Sequence, residues 1–194
     1  MINALLASVS SYALLAASSG GGDTGNIPVW TTIFTATPAA ESNGWSGFTV
    51  RGRVATSTFS DRTKRYIRFK LRSGVAGLTI TKATLGVGNN ADYSLNAAPQ
   101  AVTFGGQPGI VVPANTDFYT DAIDMQGVDY SSGKRLQFSA YHGDGGYAVA
   151  SDNQRAISAS GSGDLVTQTA SAGFTDITNQ RSIILGVEAS DTPT

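Results

Sequence analysis

Cysteine is absent from the 194-residue sequence. That excludes a disulfide framework, a thiolate metal site and a cysteine nucleophile, so core packing or neighbouring subunits must hold the fold. Charge is scarce as well: Asp, Glu, Lys and Arg make up 14% of the chain, where about a quarter is usual. The net charge is −1 and the 13 Lys and Arg residues are spread out, which removes the basic footprint of a nucleic-acid surface. His142 is the single histidine and so the one side chain whose ordinary pKa lies near neutrality. Long apolar runs are missing too. The best candidate, Ala4 to Ala17, is broken by serine and falls short of the ~20 residues of a membrane span.

What is present is a series of short apolar runs between turn residues, with 23 glycines. Such a pattern suits an all-β chain better than a helical one. Tyr66 to Pro113 carries the clearest signal. Ile67, Phe69 and Leu71 alternate with Arg68, Lys70 and Arg72, the period of a strand with one buried face. Leu78 and Ile80 repeat that phase after a Gly-containing turn. Leu85 and Val87 continue one residue out of phase, as a bulge or a bend requires.

Further strands are predicted over Ile27 to Thr35, with Trp30 as a core anchor, and over Gly47 to Ala55, Thr116 to Met125 and Lys134 to Tyr141. Leu165 to Ala170, Phe174 to Thr178 and Ser182 to Val187 close the chain as three more. Thr37 to Gly44, Asn89 to Gln100 and Ser151 to Gly163 read as loops, and Gly143 to Gly146 as a tight turn. About ten short strands imply two packed antiparallel sheets. The expected architecture is a jelly-roll-like antiparallel β-sandwich over residues 27–190, with a four-residue tail at 191–194.

Residues 1–26 differ in character. They join an apolar segment to a Ser/Gly-rich joint, and no Lys or Arg precedes Arg51, so the positive start of a signal peptide is missing. We expect an anchoring arm that uses Leu5, Leu6, Val9, Tyr12, Leu14 and Leu15. Gly20, Gly22 and Gly25 match the dinucleotide fingerprint in spacing alone, because neither a strand nor a helix flanks them.

Four segments in order, GFTVRGRV, RYIRFKLRSGVAGLTITKATLGVG, AVTFGGQPGIVVPANTDFYTDAIDM and KRLQFSAYH, resemble the β-sandwich module that precedes the catalytic domain in many SGNH/GDSL esterases. The resemblance runs from about Trp30 to Glu188. It rests on Leu78-Thr79-Ile80, Val102 to Gly106, Val112-Pro113-Ala114, Thr120-Asp121 and Ile183 to Glu188. The family's Gly-Asp-Ser nucleophile motif does not follow: Gly163-Asp164-Leu165 lacks the serine, and no Asp stands three residues before His142. The resemblance implies a non-catalytic relative of an accessory domain, with carbohydrate contact as the family-level function.

Trp45, Tyr93, Tyr141 and Tyr147 are placed at or near loops, where an aromatic face can stack on a sugar or finish a core. With His142 and Asp144 they form the candidate contact set for a glycan or partner, His142 being read as a surface or turn-capping residue. Arg51, Arg53, Arg68, Lys70 and Arg72 are expected to share a basic outer stripe across adjacent strands, either solvated or used as a subunit contact. Asp117, Asp121 and Asp124, or Asp144 with Asp152, lack the order of a Ca²⁺ loop and read as loop acids. No cofactor, metal or catalytic residue is expected. The favoured reading is a structural protein of a tailed-phage virion, made in the host cytoplasm and docked on the head or tail surface through its arm. Its partners would be other capsid or tail subunits and further copies of itself. The alternative is a secreted or surface carbohydrate-binding module.

Overall fold

The computed structural model of the chain describes residues 27–44, 46–89, 92–150, 155–158, 163–176 and 183–193. The arm residues Leu5, Leu6, Val9, Tyr12, Leu14 and Leu15, together with Trp45 and Asp152, lie outside them. Within them the chain is an all-β antiparallel sandwich, organised by one strand. That strand, β4 (Tyr66–Gly88), is 23 residues long and belongs to both sheets.

The first half of β4 pairs with β12 (Gly186–Ser190) on one side and with β7 (Asp117–Tyr119) and β8 (Ile123–Asp124) on the other. β1 (Thr31–Thr35) extends this sheet beyond β12. The second half of β4 is flanked by β5 (Gln100–Val102) and β6 (Ile110–Val112) on one side and by β9 (Arg135–Ala150) on the other. Next come β3 (Thr49–Ala55), β10 (Arg155–Ser158) and β11 (Phe174–Asp176), while β2 (Pro38–Asn43) pairs with the end of β9.

The alternating residues of β4 explain this layout. Ile67, Phe69 and Leu71 are fully buried in the first half, and Leu78, Ile80, Ala83 and Leu85 in the second. Phe69 meets Phe138 of β9 across the interior, with ring centroids 5.6 Å apart. The phase change expected between Ile80 and Leu85 is real. Pairing with β9 slips between Ile80 and Lys82, so Thr81 is the extra residue of a bulge.

A sharper slip lies between Ser73, opposite Tyr147, and Leu78, opposite Gly145. Here β4 turns a corner from one sheet to the other, as strands that switch sheets must. Gly77 (φ 75°) and Gly145 (φ 93°) make the corner possible. A Cβ on Gly145 would lie 2.3 Å from the Gly77 carbonyl oxygen, so the two backbones approach as only glycine permits.

Several sequence expectations need correction. Thr37 to Gly44 is not a loop but contains β2, whose pairing with β9 supplies the backbone partners that its small polar composition did not advertise. Gly143 to Gly146 lies inside β9 rather than in a tight turn, because β2 and the β4 corner keep pairing through it. Leu165 to Ala170 is a turn, not a strand: Asp164 accepts a hydrogen bond from the Val166 N–H (3.0 Å) and Leu165 O from the Gln168 N–H (3.1 Å). Ser151 to Gly163, read as a loop, contains β10. The first strand begins at Thr31, and Thr116 to Met125 divides into β7 and β8.

Candidate functional site

His142 contradicts its expected surface position. It is 1% exposed, and its Nε2 shares a 3.2 Å hydrogen bond with the hydroxyl of Tyr147, itself 0% exposed. The rings meet edge to face at 5.1 Å. His142 continues the inward phase of Leu136, Phe138 and Ala140 on β9, and Gly143, the extra residue opposite the Thr79–Ile80 step of β4, shifts the phase so that Tyr147 also turns inward. Burial pushes the His142 pKa down to about 3, because a charged imidazolium would lose its hydration. Its Nδ1 is buried without a hydrogen-bond partner. A neutral ring sealed from solvent has no route to a substrate proton, so His142 is a core residue.

Tyr93 is also buried rather than presented. Its ring lies 4.1 Å from the Arg53 guanidinium. Tyr141 is half-buried on β9, and Asp144 is exposed, its carboxylate accepting from the Gly145 N–H at 2.7 Å. The candidate contact set therefore does not converge, and Trp45 lies outside the described residues.

The basic stripe divides in two. Arg68, Lys70 and Arg72 line the outer face of the first sheet. Arg68 pairs with Glu188 (2.6 Å), while Lys70 and Arg72 share Asp117 (2.8 and 3.0 Å). Trp30 joins them instead of the core, its ring 4.4 Å from the Arg68 guanidinium. Arg51 and Arg53, by contrast, are not solvated. They stand on the outer face of the second sheet, which the segments 92–98 and 163–174 cover as a third layer.

Arg51 is the centre of that layer and is 0% exposed. Its Nε donates to Ser139 Oγ (2.8 Å), its Nη1 to the Tyr93 carbonyl (2.7 Å) and its Nη2 to the Gln168 carbonyl (2.7 Å). The Phe174 ring lies 4.0 Å below the guanidinium. Burial lowers its pKa to about 10, so it remains charged at neutral pH. Neighbours repeat the pattern: Thr84 Oγ1 donates to the Val166 carbonyl, Gln137 Nε2 to the Ser94 carbonyl and Arg53 Nη1 to the Asp92 carbonyl. Loop carbonyls that would otherwise be buried unpaired are satisfied by sheet side chains. Polar residues at alternate positions of three strands looked like a wet face, and sequence alone does not distinguish water from loop carbonyls.

The acids are committed to the fold. Asp121 accepts from the Gly105 and Gly106 N–H groups (2.7 Å each) and from Thr103 Oγ1 (2.6 Å). Burial raises its pKa, but the bonds from Thr103, Gly106 and Gly105 outweigh that effect and the net shift is downward. The Val102 to Gly106 and Thr120-Asp121 motifs are thus two halves of one clamp. Lys70 holds the Asp117 pKa low and Arg65 does the same for Asp124. Among the described residues, no group of three His, Asp or Glu side chains gathers to hold a metal ion, and no helix is long and apolar enough to cross a membrane.

Two kinds of surface remain. A cleft of about 240 Å³ has Leu85 and Val87 as its floor and Asn96, Gln100, Val128 and Asp129 on its rim. Two of its rim groups are spent locally: Asp129 accepts from the Ser131 N–H, and Gln100 Nε2 donates to the Asp124 carbonyl. The large apolar side chains exposed among the described residues are Ile27 (86%), Val29 (78%), Val111 (78%) and Val75 (59%). They form two pairs, one before β1 and one at the corner of β4. No protein-family model matches the chain, and no curated protein matches it in sequence.

Proposed function

We propose that this protein is a non-catalytic structural subunit of a larger assembly, a tailed-phage virion protein on the head or tail surface, anchored through residues 1–26. The observation that carries the reading is the exposure of Ile27 and Val29, at 86% and 78%. They directly follow the apolar arm and lead into β1, whose only partner strand among the described residues is β12. Exposed apolar residues beside an apolar arm mark a contact surface rather than a solvated terminus. The burial of the single histidine supports a non-catalytic role.

Less supports the alternative, a carbohydrate-binding module of the esterase-accessory type. Tyr93 and Tyr147, which would stack on a sugar, are buried against Arg53 and His142. The test is removal of residues 1–25, followed by measurement of oligomer mass and incorporation into particles. Loss of both is expected. Unchanged mass and incorporation would sink the proposal. Saturable binding of residues 27–194 to a glycan array would favour the module instead.

A further inference from the structure

A second exposed apolar cluster lies apart from Ile27 and Val29. At the corner of β4, Val75 and Ala76 stand beside Val111, Pro113 and Ala114 of the β6 region, all exposed. Gly77, Thr79 and the exposed Asp144 complete the rim of a groove of about 170 Å³ between these segments. The patch is tied down. The Asn115 N–H donates to the Gly74 carbonyl at 3.0 Å, and Ser73 Oγ donates to the Pro113 carbonyl. These exposed apolar side chains therefore stand on a corner held by hydrogen bonds, and they gain from being covered.

Its position relative to the arm decides what covers it. β1 runs in the same direction as the first half of β4, with Thr31 aligned through Ala189 to Ile67. Ile27 and Val29 therefore lie beyond the Tyr66 end of that half, beside Lys64 and Asp191. Val75 lies beyond the other end. The nine steps from Tyr66 to Val75 span roughly 30 Å at about 3.3 Å each. The apolar segment of the arm ends at Ala17, ten residues before Ile27, and ten residues reach at most about 35 Å. Because Ile27 starts beyond the Tyr66 end, the distance exceeds that span, and within one copy only a fully taut joint of Ser and Gly would bring the end of that segment near the corner patch, with a matching loss of chain entropy. In a neighbour stacked end to end, the patch lies next to Ile27 and the joint stays slack.

We infer that the arm of one copy, through Leu5, Leu6, Val9, Tyr12, Leu14 and Leu15, docks on the Val75–Val111–Pro113 corner of the next copy. The contact is head to tail. It joins two different surfaces, so repetition gives a closed ring if the rotation closes and a filament if it does not. This rests on the proposed anchoring role of the arm and names its partner surface as a second copy of this chain.

The test exploits the absence of cysteine. The full-length chain carrying both Val9→Cys and Val111→Cys is oxidised and its products are sized under denaturing conditions. A ladder of covalent multimers is expected, together with heterodimers when the two single variants, differently tagged, are mixed. Val111→Asp, at a solvent-facing site that leaves the core intact, should weaken self-association at least tenfold by sedimentation. Cross-linking confined to single chains would overturn docking on a neighbour. Self-association untouched by Val111→Asp, in a protein that still loses it on removal of residues 1–25, would overturn the corner as the site and leave the assembly reading standing. A wild-type chain that is monomeric at every concentration and incorporates into no particle would sink both.

Discussion

Acid should destabilise this protein in a pH window set by one side chain. His142 is 1% exposed and its pKa is pushed down from 6.5 to about 3 by burial. Between those values the unfolded chain binds a proton that the folded chain refuses, so stability is full above pH 6.5 and falls as the pH drops toward 3. Two-state linkage with these two pKa values gives a loss of about 2 kcal/mol at pH 5 and about 3 kcal/mol at pH 4, relative to pH 8. That is a large part of the roughly 5–15 kcal/mol that holds a typical domain together. Because His142 is the only histidine, the interval from pH 6.5 to 5 reports chiefly on this ring. Urea unfolding followed by tryptophan fluorescence at half-unit steps would measure it, with His142→Gln as the control that cannot take the proton. The wild type should approach a slope of about 1.4 kcal/mol per pH unit near pH 5, and the variant should lack it. A wild-type curve flat to within about 0.5 kcal/mol between pH 6.5 and 5, or a slope unchanged in the variant, would refute a sealed neutral imidazole.

Three further perturbations address other parts of the fold. Arg51→Ala strands the Tyr93 and Gln168 carbonyls and should cost about 3 kcal/mol or more. Hydrogen exchange should rise selectively in 92–98 and 163–174, and Arg51→Lys should restore only part of the loss, since an ammonium cannot reproduce the fork. Asp121→Asn removes a charged acceptor from Gly105 and Gly106 and should cost about 1–3 kcal/mol in chemical denaturation. The Asp121 contribution should itself fade below about pH 4, because a carboxyl whose folded pKa is lowered loses its advantage once the unfolded chain is protonated. Gly145→Ala combines a φ of 93° with a Cβ 2.3 Å from the Gly77 oxygen. It should cost more than about 3 kcal/mol by thermal unfolding, or abolish soluble expression.

How much of this was legible in the sequence varies by element. The alternation in β4 and the phase break after Ile80 were readable because side-chain period and burial coincide there. By sequence, the corner at Gly74 to Gly77 has the character of a turn. Gly145, 68 positions later in the chain, lets the same residues remain a strand, and no local pattern announces a partner so distant. β2 was missed because Pro38 to Asn43 has little apolar content, and its strand character comes from the unpaired edge of β9. The fate of Arg51 was invisible for a related reason. A charge alternating with apolar residues signals an outward direction, and outward here means beneath a loop rather than into water.

The aromatic residues sharpen the functional reading in the same way. A sugar platform needs a planar ring with one face open. Tyr147 is closed by His142, Tyr93 by Arg53, Phe174 by Arg51, and Trp30 and Tyr119 both by Arg68. Each of these rings has a cation or another ring against it, so stacking on a ligand would first have to break a contact that holds a loop or strand. The large apolar side chains left exposed among the described residues are aliphatic: Ile27 and Val29 at one end of β4's first half, Val75 and Val111 at the other. Branched aliphatic side chains carry no hydrogen-bonding handle for a hydroxyl-rich ligand and gain from burial against other apolar surface. On the proposed function, aliphatic side chains left at two opposite ends of that half are surfaces for protein rather than sugar, and the apolar segment of a neighbouring copy is the occupant proposed for one of them.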